Sequence, residues 1–200
     1  MAKLRTNFIL MFLICFLATT GNARGRARST PATTTDWRAR LHEELPLLGH
    51  RNWIAIVDSA YPLQTSEGIE TIETDGDQLE VVRQVLHAVA QTKHIRPVVF
   101  TDAELKAVPE DDAPGVTSYR DSLNHFLDEF NAGSLERQSL PHEQIISKLD
   151  EAGKTFHILV LKTRMTIPYT SVFLRLDCGY WTDNQEKRLR EKLQNNSNKD

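Results

Sequence analysis

Two cysteines, Cys15 and Cys178, are all that the 200 residues contain. Cys15 lies in an N-terminal segment that the sequence predicts is removed, so Cys178 is left alone and an internal disulfide is excluded. A chain outside the cytoplasm must then hold itself with an ordinary core. About 177 residues suffice for that, because a domain of this size buries roughly 70% of its unfolded-chain surface. Long hydrophobic runs are lacking too, and nothing in the chain reaches the ~20 residues of a membrane-spanning helix. Neither sign of charge dominates: 24 Lys and Arg stand against 27 Asp and Glu, a net charge of −3. That balance argues against a nucleic-acid surface. There is no G-x-G-x-x-G after a strand, no phosphate-cradling G-x-x-x-x-G-K and no G-x-S-x-G elbow. The histidines at 42, 50, 87, 94, 125, 142 and 157 are dispersed, without H-E-x-x-H or Cys/His pairing. Neither a metal nor an organic cofactor is predicted.

What is present begins with Lys3 and Arg5, an apolar run over 8–17, and small residues up to Ala23. This is the pattern of a secretory signal over 1–23, cut after Ala23. It predicts an exported protein, periplasmic or extracellular, with no integral membrane segment after cleavage. Losing Lys3 and Arg5 takes the net charge from −3 to −5. Residues 24–35, RGRARSTPATTT, read as a flexible linker. Residues 36–181 read as one α/β domain, and 182–200 as a charged, helical and partly disordered tail.

Within the domain, Asp36 caps a helix with Trp37, Leu41, Leu45 and Leu48 on one face, ending near Leu45 because Pro46 follows. Trp53 to Val57 is a short apolar run, read as a buried strand closed by Asp58. Residues 68–73 alternate weakly, as an edge strand does. Asp77 caps a helix whose inner face carries Leu79, Val82, Leu86 and Val89. Strands follow at 95–101, 156–162 and 170–176, and helices at 117–130, 141–152 and 186–193. Strands alternating with helices predict a three-layer α/β domain around a largely parallel or mixed sheet. In such domains ligands meet the loops at the carboxyl ends of strands, and Asp58 lies at one.

A few polar residues stand in apolar settings: His50 before the first strand, Asp58 after it, His142 at a helix start, and Tyr169, Thr170 and Ser171 before the last strand. Singly, each also fits a structural account. Asp58 can form a turn, His142 a first helical turn, His50 a surface loop, and Tyr169 a packed aromatic with a satisfied hydroxyl.

Together they follow a pattern. The segment LLGHRNWIAIVDSAYP resembles the first motif of the ribose pyranase and fucose mutarotase family, Gly-His-Gly-Asp, an apolar strand, Asp-Ala and a Pro. FHILVLKTRMTIPYTSVFL is similar to that family's strand, Thr-Gly-Glu turn, Pro-Tyr-Ala-Asn and closing strand. Pro141-His142-Glu143 is similar to the His-Glu that opens its last helix. The resemblance spans roughly 36–180, with the stretch 102–140 poorly matched. Arg51-Asn52 stand for Gly-Asp, Thr163-Arg164-Met165 for Thr-Gly-Glu, and Ser171 for Asn. The resemblance implies a cofactor-free isomerase that exchanges ring forms of a free monosaccharide. His50 would be the principal acid–base group, and Asp58, His142, Tyr169, Thr170 and Ser171 would bind the sugar. The alternatives are a non-catalytic monosaccharide-binding protein and a structural or assembly protein on the same scaffold.

One consequence is geometric. A strand over 53–58 spans about 17 Å at ~3.3 Å per residue, so His50 and Asp58 sit toward opposite ends. A small sugar bridges them only if two subunits share the site, which predicts a homo-oligomer.

Overall fold

In the computed structural model, described for residues 36–130 and 134–197, hydrophobic alternation decides which face each strand buries. Strand β1 (Trp53–Val57) is buried at every position. Ile54 and Ile56 enter one core, while Trp53, Ala55 and Val57 enter another. A strand buried on both faces belongs in the middle of a sheet covered on both sides. β5 (Ile158–Lys162) splits the same way, with Leu159 and Leu161 on one side and Ile158 and Val160 on the other.

The remaining strands are β2 (Ile69–Glu73), β3 (Ile95–Asp102), β4 (Glu136–Leu140) and β6 (Val172–Cys178), and the sheet order is β2-β5-β1-β6-β3-β4. β1 and β2 pair parallel with β5, β3 pairs parallel with β4, and β6 runs antiparallel between β1 and β3. The sheet is therefore mixed, with one reversed strand. Helices α1 (Trp37–Glu44), α2 (Gln78–Ala90) and α3 (Val116–Glu129) supply the larger core on one face, through residues such as Leu41, Val85 and Leu123. α4 (His142–Ala152) covers the other with Ile145 and Leu149.

Local chemistry sets the helix ends. Asp36 and Asp77 accept backbone N–H groups of Arg38 and Glu80 and so cap α1 and α2, each worth about 1 kcal/mol. Gly115, at φ 93, opens α3 in a conformation that glycine adopts without steric cost.

Several details correct the sequence-based elements. β4, with the sequence ERQSL and four of five residues exposed, was not expected. It carries no apolar alternation because it is an edge strand with little to bury. β5 and β6 each start two residues later than expected, which leaves Thr170 and Ser171 in the loop before β6. The inner face of α2 also includes Val81 and Val85, while Leu79 is only partly buried. The last helix, α5, spans Asp183–Ser197 and is longer than the 186–193 expected. The signal segment and the linker lie outside the described residues. No described helix is long and apolar enough to cross a membrane.

Candidate active site

Because β6 alone is reversed, the carboxyl ends of β1, β3, β4 and β5 all reach one edge of the sheet, where residues 168–171 lead into β6. A pocket of about 560 Å³ opens there, lined among others by Asp58, Tyr61, Gln64, His142, Glu143, Pro168 and Tyr169. That volume is of the size that holds one small molecule.

Its centre is a carboxylate–imidazole pair. His142 Nδ1 lies 3.1 Å from Asp102 Oδ1, and the Asp102 side chain is fully buried while that of His142 is one-third exposed. The register of the edge strand makes this pair. Asp102 is opposite Leu140 in the β3–β4 ladder, so the chain that turns at Pro141 sets His142 beside it. Glu104 fixes the turn by accepting the His142 backbone N–H on both carboxylate oxygens, at 3.0 Å each. Burial pushes the Asp102 carboxyl up to about 6 against the pull of His142, and Glu104 and Asp58 add to the rise. Asp102 Oδ2 is buried with no hydrogen-bond partner.

Asp58 supplies the second carboxylate. It accepts the Ser171 hydroxyl at 3.1 Å and the Ala60 N–H at 2.9 Å, which fixes its rotamer at the pocket rim. Tyr169 meets the His142 ring edge-on, with centroids 5.7 Å apart. Its φ of 60° is uncommon for a bulky residue, and such strain concentrates where side chains are positioned for binding. Burial pushes the Tyr61 hydroxyl up to about 12, with Asp150, Asp102 and Asp58 adding to it. Tyr61 therefore stays a neutral donor at ordinary pH.

A buried network holds the loops in place. Gln78, at the start of α2, donates to the Ile56 and Thr170 carbonyls at 3.0 Å each. Thr163 lies 2.6 Å from Gln78 Oε1, and Tyr119 donates to the Thr170 carbonyl at 2.7 Å. Gln78→Leu should leave these groups unpaired and cost roughly 1–3 kcal/mol, read as a fall in Tm of a few degrees. An unchanged melting curve would remove Gln78 from this role.

Of the residues singled out in the sequence, the pocket gathers Asp58, His142 and Tyr169. Ser171 supports Asp58, and the buried Thr170 contributes its carbonyl to the Gln78 network rather than a side chain to the pocket. His50 is elsewhere. It lies ahead of β1, at the opposite edge of the sheet, with its side chain 57% exposed and Nδ1 2.7 Å from Asp177 Oδ1. Arg96 holds the other Asp177 oxygen at 2.6 Å. Burial alone would raise the Asp177 carboxyl, but the Cys178 N–H, His50 and Arg96 together hold it below its usual value. Asp102, Glu104 and Gln78 were missed. Asp102 and Glu104 lie 40 and 38 positions before His142 and meet it through the pairing of β3 with β4, while Gln78 reaches Ile56 and Thr170 through the packing of α2.

Among the described residues Glu44, Glu70 and His157 place ligand atoms within 4.8 Å of one another. Arg40 already occupies these carboxylates, 2.7 Å from Glu44 and 2.8 Å from Glu70. Its hydrogen bond holds the Glu70 carboxyl below the ordinary range. The cluster works as an ion-pair staple between α1, β2 and the residue that precedes β5.

No family model and no curated protein matches the chain. Among solved structures, the fold is similar to RbsD of Bacillus subtilis complexed with D-ribose, at 19% identity and TM-score 0.49, over 70% of this chain and 92% of that one. It is similar to FucU from Bifidobacterium longum at 15% identity and TM-score 0.48, over 69% and 92%. It is also similar to the fucose mutarotase of Streptococcus pneumoniae in complex with L-fucose, at 15% identity and TM-score 0.45, over 74% and 98%. At these identities the likeness is one of fold.

Proposed function

We propose that the chain is an exported, cofactor-free isomerase that exchanges ring forms of a free monosaccharide. The observation that carries this reading is the buried Asp102 behind His142, facing the same pocket as Asp58. The reaction needs a base to take the proton from the anomeric hydroxyl and an acid to protonate the ring oxygen as the C–O bond opens. The free aldehyde then turns and the ring closes with the protons returned, so no electrons are exchanged.

In this reading His142 Nε2 takes the anomeric proton, since Nδ1 is engaged by Asp102, and Asp102 stabilises the imidazolium. Asp58 and Tyr169 hold the neighbouring hydroxyls. The acid is His50 of the partner subunit, oriented by its own carboxylate. His50 and Asp58 stand at opposite ends of β1, so one subunit cannot supply both to a small sugar, and a homo-oligomer with a shared site follows. A binding protein without catalysis is the second reading, favoured by one detail: Ser171 already occupies one oxygen of Asp58.

Saturation-transfer NMR with ribose, fucose, galactose and glucose tests this, alongside His50→Ala and sedimentation of both proteins. Transfer between ring-form signals that the native oligomer gives and His50→Ala loses is the expected result. Transfer by a monomer would end the shared site, and sugar binding without transfer would leave the binding protein.

A further inference from the structure

A second concavity, about 710 Å³, lies between α4 and the start of β1. Its charged lining differs from that of the pocket. Arg51, Lys148 and Arg175 border it, and among the described residues none of the three forms an ion pair. Glu151 on the same rim is taken by Lys154 at 2.6 Å, so Glu143 is the acid left to face them. Arg175, half-buried in β6, lies 5.8 Å from the Phe100 ring centre, and Arg51 lies 5.7 Å from that of Phe156. A guanidinium partly withdrawn from water calls for a counter-charge.

Arg51 adds an independent observation. It is held at φ 77, in the left-handed region that glycine adopts freely. The turn is locked around it: Asn52 accepts the Gly49 N–H at 2.7 Å, and the Arg51 N–H donates to the Leu176 carbonyl at 3.0 Å. An arginine kept where a glycine would sit unstrained points to use of its side chain. Three cations against one free acid leave two positive charges over, close to the charge of a phosphate monoester near pH 7.

We propose that this groove binds the phosphate group of a small phosphate monoester. Arg51 and Arg175 clasp the oxyanion through their planar N–H forks, and Phe156 supports the organic part. Neither arginine lines the pocket at Asp58, although Glu143 borders both concavities and Arg51 follows His50 in sequence, so the two sites are told apart by their ligands.

The test is calorimetric titration of the full chain with ribose 5-phosphate, inorganic phosphate and ribose, repeated for Arg51→Gly and Arg175→Gln. Arg51→Gly puts glycine at the left-handed position and should fold, as its melting curve will report. Ribose 5-phosphate should saturate a site that each variant weakens about tenfold or more and that added salt weakens further. Ribose should show no dependence on either arginine. Three outcomes overturn the proposal. One is no saturable binding of ribose 5-phosphate up to about 10 mM, or binding that both variants leave unchanged. Another is inorganic phosphate binding as tightly as the monoester, which would mean a general anion patch. The third is dissociation of an oligomer by either variant without any phosphate binding, which would make the groove a subunit interface.

Discussion

Replacing His142 with alanine is expected to lower catalysed ring-form exchange by about 10²- to 10⁴-fold, the range that a positioned acid–base group supplies. The substitution keeps the backbone N–H that Glu104 binds, so α4 should start at the same place. What it removes is the imidazole between the pocket and Asp102. The buried carboxylate then loses the one side-chain partner it has among the described residues, and an unpaired buried charge is strongly destabilising. Asp102 can escape by binding a proton, since burial already raises it to about 6. The variant should therefore be less stable than the native protein near pH 8 and close to it near pH 5. The double variant with Asp102→Asn should recover much of the difference. Exchange is measured by NMR after subtraction of the spontaneous rate, and an unchanged rate in a folded variant would move the chemistry out of this pocket.

The second large effect concerns pH. Asp102 anchors the imidazolium only when ionised, so exchange should climb as pH rises through about 6. Stability should move the opposite way. A carboxyl raised from 3.8 to about 6 in the folded state binds its proton more tightly there than in the unfolded chain. Its favourable contribution is complete at low pH and declines as pH rises across that window. Asp102→Asn should flatten both curves and lower the exchange rate at neutral pH. In hydrolase triads the same change of carboxylate to amide costs about 10⁴, and a smaller loss of roughly 10² is expected here because His142 is one-third exposed. A variant that keeps the native pH profile would show that Asp102 is a packing residue.

Much of the scaffold was legible in the residues. The run Trp53–Val57, the Asp77 cap and the helix read over 117–130 each announce their element through short-range pattern, and each formed within a residue of that reading. β4 was not legible, because a polar edge strand leaves no such pattern, and with it went the pairing of Asp102 with His142. Asp58, His142 and Tyr169 could be singled out only through their resemblance to known motifs. Nothing local in the sequence separates them from turn formers and packed aromatics.

The sequence by itself determined the α/β class, the two-sided burial of the central strands and the distance along β1 that separates His50 from Asp58. These depend on the period of side chains along a strand and on its rise per residue, both of which are local properties. Only the tertiary structure decided that β6 runs against its neighbours, that the register of β4 carries His142 to Asp102, and that Gln78 ties β1 to the loop before β6. Those contacts join residues 22 to 122 positions apart. They are selected by the packing of whole elements, for which a single sequence carries no local signal.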